Sequence, residues 1–143
     1  MAQEVFVVAY DGTDLHPVDF AISRAAREGA RLLIVHVLEW SPYSFLTTEE
    51  LAERHKLRQQ ELARADQSIM TPILKRARGA GATADGELRY GNIVDCLCSI
   101  AKEKDASMIF VGRSSSLSTR LFGSVASGLA QCASVPTVIV PCE

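Results

Sequence analysis

The run EVFVVAYDGTD, Glu4 to Asp14, sets the reading of the whole chain. Its first seven residues are β-branched and almost continuously apolar, the pattern of a strand covered on both faces. Asp11-Gly12-Thr13-Asp14 then breaks the run as a turn. Leu15, Val18, Ile22, Ala25 and Ala26 come next at helical spacing, and Gly29 closes that segment as a C-cap. A buried strand feeding a turn and an amphipathic helix is the opening half of a βαβ unit.

The same unit recurs along the chain. Leu32–Leu38 (LLIVHVL) is a second buried strand. Thr47 and Glu50 form a capping-box pair that opens a long helix, with Leu62, Ala65, Ile69 and Ile73 on its inner face. Pro72 falls inside that pattern and is expected to kink or break it. Gly79, Gly81 and Gly86 punctuate the next segment, which holds a weaker strand around Ala84–Arg89. Asn92 caps a further helix bearing Ile93, Leu97, Ile100 and Ala101 on one face. Ser107–Val111, a helix near Ser124–Ala133 and a last strand at Val135–Val140 complete the order. Strict β-α alternation predicts a single α/β domain over residues 1–143, an open five-stranded parallel sheet with helices on both faces, doubly wound.

Composition narrows the function. The chain has 143 residues, 48% hydrophobic and 22% charged, with a net charge of −2. That balance lacks the concentrated basic surface a nucleic-acid partner needs. No apolar run approaches the ~18 residues of a membrane-spanning helix, and the N-terminus has no signal-peptide pattern, so a cytoplasmic location is expected. The four cysteines, at 96, 98, 132 and 142, show no zinc-finger spacing. They read as small buried hydrophobes, with no metal site.

In an open α/β sheet, ligands bind beyond the carboxyl ends of the strands where the strand order reverses. Three segments qualify: Asp11–Thr13, Glu39–Tyr43 and Gly112–Phe122. The last offers backbone N–H groups, small hydroxyls, Arg113 and Arg120, and a helix start, all suited to an anion. Asp11 either accepts from an amino group or sugar hydroxyl, or simply braces its own turn. Trp40, Tyr43 and Phe45 pack a loop onto the domain edge or form a platform for a base. No GK[ST] follows a glycine, and Gly112-Arg113-Ser114-Ser115-Ser116 is not a G-x-S-x-G elbow, so hydrolase chemistry lacks its organisers. His36 lies inside a strand pattern and reads as a satisfied core histidine; His16 and His55 read as solvent-facing. The charged run Glu49–Arg64 reads as the wet face of the long helix.

Four stretches, VVAYDGT, IVHVLE, VGRSSSLSTRLFGSVA and SVPTVIVP, together resemble the universal stress protein family across essentially the whole chain. The resemblance implies a five-stranded parallel α/β fold, commonly dimeric, acting as a stress-response binding or signalling module. It implies ATP or AMP as ligand, with Mg²⁺, and no catalytic residues. Asp11 and Val37 would contact the adenine end, while Gly112, Gly123, Ser124 and Val125 would line the ribose and phosphates. The family's nucleotide-binding members carry a glycine, two residues, a second glycine, nine residues, then Gly-Ser or Gly-Thr. Here Ser115 stands in the second glycine's place, and only seven residues, Ser116 to Phe122, precede Gly123. Serine accepts the left-handed backbone and close phosphate approach only with strain. Two readings therefore stand: an adenine-nucleotide binder, or a member without nucleotide that works through dimerisation and partner contacts. If the last strand is an edge, Val138-Ile139-Val140 invites pairing, so a homodimer through Val135–Val140 is expected.

Overall fold

The computed structural model describes residues 3–39, 47–113 and 125–141. Five strands, β1 (Val5–Ala9), β2 (Arg31–Glu39), β3 (Thr83–Gly91), β4 (Met108–Gly112) and β5 (Thr137–Val140), form one sheet in the order β3-β2-β1-β4-β5. Every pairing is parallel. Strands β1, β2 and β3 build outward in one direction, and β4 then lands on the other side of β1. The order reverses between β1 and β4, which is the switch point of a doubly wound sheet.

The period-2 geometry of the strands divides the core in two. Phe6, Val8, Leu32, Ile34, Ala84 and Phe110 face α1 (His16–Glu28) and α3 (Thr71–Gly79), whose Val18, Ala21, Ile22, Ala25, Ile73 and Ala77 cover them. Val7, Leu33, Val35, Val37, Ile109 and Val111 face α4 (Ile93–Glu103) and α5 (Val125–Cys132), through Leu97, Ile100, Ala101, Ala126 and Leu129. Strands buried on both faces explain the unbroken apolar runs of the sequence. The expected turn and cap residues hold: Gly29 caps α1 at φ 69°, the Asn92 side chain accepts from the Asp95 N–H at 3.1 Å, and Thr47 Oγ1 accepts from the Glu50 N–H at 3.2 Å.

Pro72 acts as expected, and the form of the break is specific. Helix α2 (Thr48–Ala65) widens into a π turn at Asp66–Met70 before α3 restarts at Thr71. The Asp66 carbonyl accepts both the backbone N–H and the hydroxyl of Thr71, the latter at 2.8 Å. Pro72 then sits in the first turn of α3, directly after the widened turn that makes room for its ring. Most of α2 is solvated. It touches β3 through polar groups, with the Arg58 guanidinium 5.0 Å from the Tyr90 ring centroid and the Tyr90 hydroxyl donating to Glu61 at 3.0 Å.

Several local expectations need correction. Gly86 is not a breaker; it lies inside β3, where a Cβ would collide with the Met70 side chain packed over it. The glycine makes room for the π turn. Ala26 is exposed, and Ala21 takes its place in the core. The last strand starts at Thr137, because Pro136 has no N–H to give the ladder. Cys96 and Cys98 are only half-buried and Cys132 is exposed, so these cysteines are not simple core residues. Cys142 lies outside the described residues.

Candidate functional site

Register alone brings the carboxyl ends of three strands to one height. Ala9 is opposite Val35 and Val8 opposite Phe110, so Asp11 emerges level with Val37 and Tyr10 level with Gly112. Val125, at the first position of α5, is half-buried against the same core that holds Val37. Asp11, Val37 and Gly112 thus stand at the carboxyl edge of the sheet around the β1/β4 reversal. Ser115, Gly123 and Ser124 lie outside the described residues, as do Arg120, Trp40, Tyr43 and Phe45.

The turn after β1 is held from within. Asp11 Oδ1 accepts from the backbone N–H groups of Thr13 and Asp14, each at 2.8 Å, and from the Thr13 hydroxyl at 3.2 Å. One carboxylate oxygen is therefore spent on the turn. The other, Oδ2, has no hydrogen-bond partner among the described residues. Gly12 carries φ 98°, a backbone state that side chains rarely adopt.

His36 anchors this turn from below. It is 7% exposed, and its Nδ1 lies 2.7 Å from the Tyr10 carbonyl, so that nitrogen must donate. This is the satisfied core histidine that the strand pattern predicts, and its position gives it a further consequence. Its Cε1 would lie 3.8 Å from a Cβ at Gly12, with Ile69 Cδ1 of the π turn at 3.4 Å. The Tyr10 phenol is pushed up by burial and then by the nearby Asp11 carboxylate, so it stays protonated at neutral pH. His16 and His55 are exposed, as expected.

Gly112 ends β4 at the same edge of the sheet. A Cβ there would lie 3.3 Å from Pro17 Cγ and 3.4 Å from Asp14 Oδ2, so the β1–α1 loop packs closely against this glycine. Asp14 is a member of this site that the strand-end rule did not single out. Its Oδ1 accepts the His16 N–H at 3.0 Å and lies 2.7 Å from His16 Nδ1. A signal for it is present in the sequence: an Asp two residues ahead of a helix start readily accepts from the N–H two residues on, as Asp14 does from His16. At the opposite edge of the sheet, Val5, Arg31, Leu32, Leu33, Asp85 and Lys104 line a cavity of about 260 Å³. Its Arg31 and Asp85 are already paired at 2.6 Å.

The chemistry open to the carboxyl edge is set by its parts. It combines a carboxylate oxygen, an apolar valine, a bare glycine backbone and the start of a helix, whose N–H groups favour an anion. The strand order defines a doubly wound α/β domain whose switch point lies between β1 and β4. The sequence pattern of the universal stress protein family matches residues 4–141, and the chain belongs to that family. A universal stress protein solved in complex with cAMP is 30% identical, with 100% of both chains covered and a TM-score of 0.71. The universal stress protein UspA from Lactobacillus plantarum is 20% identical over 98% of this chain and 99% of that one, with a TM-score of 0.80. One from Archaeoglobus fulgidus in complex with dAMP is 22% identical over 98% and 99%, with a TM-score of 0.67. No curated protein matches the chain. Among the described residues, no helix is long and apolar enough to cross a membrane.

Proposed function

We propose that this universal stress protein binds an adenine nucleotide at the carboxyl edge of β1, β2 and β4. The observation that carries the reading is the whole-length relative, 30% identical, that holds cAMP. The strand register supports it: Asp11 and Val37 stand level at the carboxyl edge, and Gly112 ends β4 one residue below that height. Gly123, Ser124 and Val125 at the head of α5 would complete the phosphate cradle, with Ser115 in place of a glycine. Mg²⁺ would ride on the phosphates of ATP. The protein acts as a cytoplasmic binding or signalling module, and any hydrolysis is slow, because the sequence supplies no GK[ST] lysine beside the loop. Calorimetric titration with AMP, cAMP, ADP and ATP, with and without Mg²⁺, tests this. Saturable heat that Gly123→Val abolishes is expected. No heat at millimolar nucleotide would select the alternative, a member working through dimerisation and partner contacts.

The dimer expectation belongs to the same proposal. Among the described residues, strand β5 has a strand neighbour on one side only, so a second chain pairing with its outer edge would satisfy the N–H and C=O groups there. Ile139 on β5 is 47% exposed, and on the other face of the sheet Phe20 of α1, 44% exposed, makes a tilted ring contact with Phe110. A two-fold pairing of β5 with its copy, within the Val135–Val140 segment, would cover this apolar rim. Ile139→Lys should convert a dimer to a monomer in sedimentation at micromolar concentration. A wild-type monomer, or an unchanged dimer in the variant, would overturn this interface.

A further inference from the structure

Helices α4 and α5 lie side by side along Val94 and Cys98 of one and Gly128 and Cys132 of the other. Both pairs have a spacing of four, so each pair shares a helix face. Gly128 permits close approach, since a Cβ there would lie 2.9 Å from Val94 Cγ2. One turn further on, Cys98 Sγ and Cys132 Sγ stand 3.9 Å apart. We infer that Cys98 and Cys132 form an oxidisable dithiol site, converted by a hydroperoxide to a disulfide that staples α4 to α5.

The two thiols have different surroundings, and these assign their roles. Cys132 is exposed and half of a contact pair, with its Sγ also 2.9 Å from the Gly128 carbonyl. Cys98 is half-buried, and burial together with the hydrogen bond to Cys132 pushes its thiol up. Cys132 is therefore the sulfur that a small oxidant reaches first. Cys96 does not compete: it lies on another side of α4, with its Sγ beside Gly91.

The chemistry balances with hydrogen peroxide as the oxidant. Cys132 sulfur attacks the O–O bond and is oxidised to a sulfenic acid, while water leaves with the thiol proton. Cys98 sulfur then attacks Cys132 Sγ; the S–S bond forms, the S–O bond breaks, and the departing hydroxide takes the Cys98 proton as a second water. Two thiols and one peroxide give one disulfide and two waters. The sulfurs, 3.9 Å apart, have to close to about 2.0 Å as the bond forms.

The test treats the wild-type protein with hydrogen peroxide, blocks remaining thiols by alkylation and maps the peptides by mass spectrometry. The expected result is one linked peptide pair joining Cys98 to Cys132, lighter by two hydrogens and cleaved by dithiothreitol. In Cys98→Ser, the linked pair is lost and Cys132 is trapped as a sulfenic acid adduct by dimedone. Full alkylation of both thiols after peroxide would overturn the inference. So would over-oxidation of Cys132 without a linked peptide, or a linkage of Cys132 to Cys142 or to a second copy instead.

Discussion

Phe110→Ala is expected to lower the unfolding free energy by about 3–5 kcal/mol, the usual loss when a buried aromatic is truncated in a close-packed core. Phe110 is 1% exposed in the second strand from the β5 edge. Its ring meets Phe6 of β1 at 5.5 Å and Phe20 of α1 at 6.0 Å, both tilted, so it joins two strands and a helix at one point. It also pairs in register with Val8 and Val138, which leaves few small groups able to collapse into the void. Domains of this kind are stable by only about 5–15 kcal/mol, so the variant should be marginal. Urea denaturation monitored by circular dichroism reads the change. A loss below about 1 kcal/mol would mean that the β1/β4/α1 packing is not as described.

Gly12→Val should remove nucleotide binding, by tenfold or more, while the chain still folds. Gly12 is held at φ 98°, and a β-branched residue there carries strain of about 1–3 kcal/mol. Its Cβ would also press on Ile69 Cδ1 at 3.4 Å and face His36 Cε1 at 3.8 Å. The turn relieves both by shifting, and the shift moves Asp11, whose Oδ1 is tied to the backbone N–H groups of Thr13 and Asp14. The cost is small against the whole domain, and it falls on the carboxylate that would meet the ligand. Calorimetry with AMP reads the affinity, and circular dichroism checks the fold. Wild-type affinity in a folded Gly12→Val protein would remove this turn from the site.

The fold is most legible in the sequence where burial is symmetrical. β1, β2 and β4 are covered on both faces, so their apolar runs are unbroken and their positions read directly. β3 reads weakly as TADGELRYG because it is an edge strand, leaning on α2 through Tyr90, Arg58 and Glu61 rather than through a continuous apolar face. Gly86 misleads for a tertiary reason: the residue it makes room for, Met70, is distant in sequence and sits in a π turn that no local pattern announces. Pro72 announces a break but not its shape.

The site divides in the same way. Asp11 and Gly112 come from the rule that ligands sit beyond strand ends. Val37 comes only from the family resemblance, because a strand valine reads as plain core, and the register places the three within one residue of the same height. The link from His36 to the Tyr10 carbonyl and the approach of Asp14 to Gly112 depend on how a turn folds back over the sheet, which strand and helix periodicity do not encode. The Cys98–Cys132 contact is of that kind too: 34 residues separate the pair, and only the packing of α4 on α5 brings them together.

Nucleotide binding at the carboxyl edge is tested by titrating isotope-labelled protein with AMP and reading the backbone amide chemical shifts. Saturable shifts are expected at Asp11, Gly12, Val37, Gly112 and Val125, with Val5, Arg31, Asp85 and Lys104 at the opposite edge unmoved. Shifts confined to that opposite edge, or none at millimolar AMP, would contradict a site at the β1/β4 reversal.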